Sequence, residues 1–340
     1  MIKTIATAAT LILSAALSAS AQWVRQSVET SASFRGLSVV NEKVIWASGT
    51  GGTVIRTIDG GRKWNVIHVP DADKLDFRDI EAFDANTAYI LSIGNGAASR
   101  IYKTIDGGST WKEQFRNTDE KTFYDALACW DAKNCLAMSD PVDGKYILVR
   151  TTDGESWQPP HSKHFAIALT GETSFAASGT CLIANGVSTA YLISGGTAAR
   201  VFRSDDRGNT WLAANTPIIK GTAGSGIFSI AMLDAVNGVI VGGNYEKPNE
   251  ANDNLAFTTD GGTTWKIGSG LSGYRSGVTY IDKRILIAVG TNGSDISNDS
   301  GKTWKHLGSE DLNAVASLGK RSVWAVGPKG GVFRLSNMPK

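Results

Sequence analysis

Seven stretches of the chain share one pattern. Short apolar, β-branched and aromatic runs, broken by glycine, asparagine and aspartate, give room for three strands each. They run over 34–57, 77–104, 123–151, 175–204, 227–258, 274–297 and 312–336. Helix signals are nearly absent. Six of the stretches end in a polar phrase closed by tryptophan. Thr57-Ile58-Asp59-Gly60-Gly61-Arg62-Lys63-Trp64 is the first, and the others carry Asp106 with Trp111, Asp206 with Trp211, Asp260 with Trp265 and Asp299 with Trp304. A shortened copy holds Asp153 and Trp157. Each phrase reads as a hairpin turn, in which the carboxylate accepts from following amides and glycine supplies positive φ. The tryptophan buries its ring between strands.

The phrases start at 57, 104, 151, 204, 258 and 297, a spacing that marks a repeat architecture. Seven units of about 45 residues suit four-stranded blades, so the expected fold is all-β, a seven-bladed β-propeller over 22–340. The last stretch lacks its closing phrase. Gln22-Trp23-Val24-Arg25-Gln26 resembles the missing outer strand, so the N-terminal strand is expected to complete the last blade and remove an exposed edge.

Residues 1–21 read as a cleavable signal peptide: Lys3, an apolar run from Ile5 to Leu17, then Ala19-Ser20-Ala21. The mature protein is therefore expected in the periplasm or secreted. No later run is long and apolar enough to span a bilayer. Lys and Arg number 34 against 32 Asp and Glu, which gives no global charge to attract nucleic acid. Cys129 and Cys135 flank a short turn and, in an exported chain, form a candidate disulfide; Cys181 reads as a buried thiol. No zinc spacing, nucleotide loop or nucleophile elbow is present, so neither metal nor cofactor is expected. His161 and His164 read as linker residues.

Propeller topology places strand-one starts and strand-two ends on the top face, where candidate chemistry collects. Arg35, Arg78, Tyr124 and Arg275 fall at strand-one starts, and Asp140 and Tyr245 at strand-two ends. Arg100 and Arg200 hold matching places at the start of third strands. Arginine is suited to bidentate capture of carboxylates and phosphates. Two readings stand open. Either these arginines pair with Asp79, Asp125, Asp140 and Asp143 and seal the axial channel, or they form a face that binds a ligand or partner. The polar stretch 245–254 is a candidate lid or partner loop.

The repeated phrase is similar to the Asp-box of BNR-repeat propellers. With Phe175-Ala176-Ala177-Ser178-Gly179-Thr180, Gly242-Gly243-Asn244-Tyr245, Tyr274-Arg275-Ser276-Gly277-Val278 and Ser139-Asp140-Pro141-Val142-Asp143-Gly144, the whole mature chain resembles the photosystem II stability/assembly-factor-like branch. The photosynthetic members hold a reaction-centre subunit through an arginine-bearing surface. The resemblance implies a non-catalytic interaction or assembly module, monomeric, binding an envelope or secreted protein. The alternative is a sialidase-like glycoside hydrolase acting on anionic glycans, because Arg35, Arg78 and Arg275 imitate its three arginines and Tyr124 is the nearest nucleophile.

Overall fold

The computed structural model describes residues 21–160 and 167–336. The leader (except Ala21), His161 and His164 lie outside the described residues. The strands form a seven-bladed β-propeller. Blade 1 takes Phe34–Val39, Ile45–Gly49, Thr53–Thr57 and Asn65–His68, ordered from the axis outward. Blades 2, 4, 5 and 6 repeat this four-strand meander, with inner strands Asp76–Ala82, Leu182–Asn185, Ser225–Met232 and Gly277–Tyr280, and in blade 5 the short strands Gly195–Gly196 and Glu172–Thr173 extend the sheet beyond the inner strand. Blade 3 has three strands, Tyr124–Asp131, Asn134–Val142 and Lys145–Thr151. Its outer edge is met by single bridges from Gln158 and Ile167. Among the described residues the one helical turn is the 3-10 segment Gly96–Ala98.

The ring closes as expected. Gln22–Arg25 pairs antiparallel with Val332–Ser336, the third strand of blade 7, in the register Trp23 opposite Leu335. The core lies between successive blades, where second strands such as Ile45–Gly49 and Leu286–Gly290 are buried on both faces.

Every closing phrase begins on the last residue of a third strand, from Thr57 in blade 1 to Ser297 in blade 6. Thr57 Oγ1 donates to Asp59 Oδ1 and accepts from the Gly61 amide at 3.0 Å, while Asp59 Oδ1 accepts from the Lys63 amide. Asp106, Asp206, Asp260 and Asp299 repeat the bond to the amide four residues on. In the shortened phrase Asp153 accepts instead from Glu155 and Ser156. Hydroxyl and amide donation from Thr264 holds Asp260 down to about 2, and the equivalent bonds from Thr303 do the same for Asp299. These carboxylates are committed to the turn. The indoles of Trp211, Trp265 and Trp304 donate to the carbonyl of a glycine in their own phrase, and Trp157 donates to Gln114. The buried Nε1 atoms of Trp64 and Trp111 find no partner.

The same turns join the blades. Tyr89 of blade 2 donates to Gly154 O in blade 3, and Tyr191 of blade 4 to Gly261 O in blade 5. A basic residue just ahead of a phrase reaches the next one. Lys103 donates to Gly154 O, Arg150 to Asn209 and Arg203 to Gly261 O.

Cys129 and Cys135 face each other across the first hairpin of blade 3 and are bonded. Closing so small a loop contributes about 2 kcal/mol. The double variant Cys129→Ala/Cys135→Ala is expected to lose that much in denaturant unfolding, with m unchanged. An unchanged midpoint would show that the hairpin needs no staple.

Candidate functional site at the channel mouth

Four inner strands carry a β-bulge near the start. The register with the second strand slips between Phe34 and Gly36, Phe77 and Asp79, Tyr124 and Ala126, and Ile227 and Ser229. The extra residues are Arg35, Arg78, Asp125 and Phe228. A bulge leaves one residue outside the ladder and re-aims its side chain. All four line one cavity of about 360 Å³ at the axis, together with Phe123, Asp140, Phe175, Tyr245 and Tyr274. One backbone irregularity, repeated in four blades, therefore builds the site.

Blade 4 contributes differently. Its inner strand was expected from Phe175, but the ladder starts only at Leu182. Residues 174–181 leave the strand and close the channel mouth. Arg35 Nη1 donates to Ala177 O at 2.9 Å and Arg78 Nη1 to Ala176 O at 3.3 Å, so arginines from blades 1 and 2 hold a segment of blade 4. Gly179 has φ +77° and stands where a Cβ would be 2.3 Å from Asp79 Oδ1, which neither a side chain nor the carboxylate would allow. Thr180 shares a hydrogen bond with Ser229 of blade 5.

Charge on the two sides of the cavity differs. Arg78 Nε binds Asp76 Oδ2 at 2.8 Å, and burial with Arg78 nearby pulls the Arg35 guanidinium below its ordinary pKa. Asp140 Oδ1 accepts from the Ser174 amide at 2.7 Å and from the Thr173 hydroxyl; burial still raises its carboxyl. Asp125 is 1% exposed and its Oδ2 has no partner. Burial, then the charge of Asp140, push its carboxyl well up, with Arg78 opposing. The far wall is aromatic. Phe175 stacks on Phe228 with centroids 4.0 Å apart, Tyr274 meets Phe228 edge-on, and Tyr245 covers both from the rim. Tyr245 is half exposed.

The expected site residues divide accordingly. Arg35, Arg78, Asp140 and Tyr245 come together. Tyr124 does not: it is buried against Phe115, while its neighbours Phe123 and Asp125 reach the cavity. Arg275 is fully buried and precedes its strand, with no bulge to turn it. Its Nε and Nη2 bind Asp295 Oδ2 at 2.9 and 2.6 Å, and Nη1 binds Tyr274 O and Asn292. Arg100 and Arg200 pair with Glu113 and Glu172 at the tops of their third strands, outside the cavity lining. Phe228 was missed as a lining residue, since strict alternation hides a bulge, and Asp125 was expected at the channel only as a partner for an arginine.

The sealing reading also changes in detail. Asp79 accepts from the Leu127 and Ile80 amides rather than from an arginine, and Asp143 sits at φ 49° in an exposed turn. The 245–254 loop is tied down, since Pro248 O accepts from the Tyr274 amide and from Asn292. Among the described residues no cluster of His, Cys, Asp and Glu is placed to hold a metal ion.

No protein-family model and no curated protein matches the sequence. Solved structures do share the fold. YCF48 bound to a D1 peptide superposes with TM-score 0.66 at 15% identity, covering 92% of this chain and 96% of that one. YCF48 from Cyanidioschyzon merolae gives 0.67 at 16%, covering 92% and 98%. The GH74 enzyme of Niastella koreensis gives 0.62 at 15%, with 92% of this chain on 53% of that one. The chain therefore has the seven-bladed propeller fold that YCF48 has, and its resemblance to the photosystem II assembly-factor-like propellers holds at the level of architecture.

Proposed function

We propose that this protein is an exported interaction module. A segment of an envelope or secreted protein docks over the channel mouth, against Arg35, Arg78, Asp140 and Tyr245. One observation carries the reading: bulges in separate blades deliver two guanidiniums to a cavity whose opposite wall is an aromatic shelf. Such a surface suits a chain that presents a carboxylate beside apolar side chains. A structure with this fold has been solved bound to a peptide, which supports the class of partner. The apolar leader and the Cys129–Cys135 bond support export to an oxidising compartment.

The sialidase-like alternative loses its main support. Its three-arginine arrangement is not assembled, because Arg275 is locked to Asp295, and Tyr124 is in the core.

The test is affinity capture from solubilised envelope, with wild type, Arg35→Gln/Arg78→Gln and a control Arg100→Gln, all matched in melting temperature. Wild type and control are expected to retain the same partner, and the double variant at least roughly tenfold less, as loss of two charge-assisted bonds implies. Equal retention by all three would reject the channel mouth as the docking site.

A further inference from the structure

The Asp140 amide lies against the carboxyl of Asp125, but the buried Oδ2 of that carboxyl has no partner. An acceptor oxygen buried without a partner costs free energy that an apolar residue would not. Asp79, one residue beyond the bulge of blade 2, shows the contrast: its Oδ1 accepts from the Ile80 amide of its own strand, and its Oδ2 accepts from the Leu127 amide and ties blade 2 to blade 3. Asp125 Oδ2 ties nothing. Arg78 faces it from blade 2 but keeps its Nε on Asp76 and its Nη1 on Ala176 O. Asp140 faces it from its own blade, and the Cys181 thiol from blade 4.

We propose that Asp125 is a ligand-binding carboxylic acid: it donates its proton to a carboxylate of the docked segment, whose negative charge Arg35 and Arg78 balance and whose apolar neighbour packs on Phe175, Phe228 and Tyr274. This deepens the docking function above and rests on it. A protonated carboxyl is a donor, whereas an ionised one repels the same ligand. Capture is therefore coupled to one proton. The packing favours the neutral form of Asp125: burial comes first and the Asp140 charge adds to it, while Arg78 and the Asp140 amide oppose. Binding is strongest at low pH and is lost as pH rises through the folded-state pKa of Asp125.

The experiment uses the mature protein and two probes, N-acetyl-phenylalanine and its amide, titrated by ligand-observed NMR from about pH 5 to about pH 9, a range in which the acid probe stays ionised. The acid is expected to bind at least roughly tenfold tighter at the lower pH, and tighter than the amide there. Asp125→Asn, a permanent donor, is expected to flatten that dependence. Asp140→Asn removes the neighbouring charge and is expected to move the midpoint to lower pH, which keeps the test available if Asp125→Asn does not fold. A wild-type affinity independent of pH, a dependence that survives in Asp125→Asn, or no binding of either probe would overturn the proposal. Envelope capture is scored separately at the lower pH. Partner retention without probe binding rejects the role of Asp125 and leaves docking standing; probe binding without retention does the reverse.

Discussion

Replacing Asp295 with alanine is expected to destabilise the protein by about 3–5 kcal/mol, the cost of leaving a buried charge without its partner. The charge is Arg275, which is fully buried and binds one oxygen of Asp295 through two nitrogens. Burial works against the guanidinium charge and Asp295 sustains it. Asp295 Oδ1 meanwhile accepts from the Ser272 hydroxyl and Oδ2 from the Ser272 amide, so the alanine variant also orphans two further donors. Asp295→Asn retains acceptor capacity without charge and should fall between the two. A double replacement of both partners by apolar residues should cost less than either single change. Urea unfolding of the three variants decides this; a loss below about 1 kcal/mol for Asp295→Ala would mean that the pair is screened and solvated. The point bears on function. A change at Arg275 would weaken binding by unfolding blade 6, whereas Arg35 and Arg78 can be tested without that confusion.

Arg35, Arg78 and Arg275 look alike in the sequence. Each follows an aromatic residue at the expected start of an inner strand. Their fates differ because bulges at Arg35 and Arg78 lift those side chains out of the ladder, and blade 6 has no bulge there. Alternation along a strand assigns a face to each residue, but one inserted residue shifts every later one. Tyr124 and Asp125 exchange roles for this reason: the tyrosine goes to the core and the carboxylate to the cavity. The blade-4 segment was illegible for a related cause. Its glycine and hydroxyl residues permit a loop as readily as a strand, and the choice is made by carbonyls at Ala176 and Ala177 that arginines from distant blades engage. What the sequence did reveal was local. The closing phrases depend on side chains within four residues of each other, so their positions mark the ends of the third strands in all six copies. The basic residues Lys103, Arg150 and Arg203 ahead of those phrases were an unread signal for contacts with the next blade.

Trp23→Ala is expected to cost about 3–5 kcal/mol, the range for removing a large buried aromatic, and deletion of residues 22–30 to cost more. Trp23 is the one large ring of the N-terminal strand. Its Nε1 donates to Ser294 Oγ of blade 6 at 2.9 Å, and its ring belongs to the buried cluster that includes Ile287, Val289, Ile296 and Leu335. A residue near the start of the chain thus spans blades 6 and 7. Without residues 22–30 the ladder from Gln22 to Arg25 is lost, and Val332–Ser336 becomes an open edge whose amides and carbonyls are free to pair with another chain. The Gln26 amide bond to Val332 O and the Arg25 bond to Lys329 O go with it. Thermal unfolding should therefore show a sharply lower melting temperature for the deletion, with concentration-dependent aggregation that Trp23→Ala alone lacks. The two variants separate packing from closure. If the deletion melts where wild type does, the N-terminal strand is an accessory, and the ring is held by the three strands that blade 7 supplies from its own end of the chain.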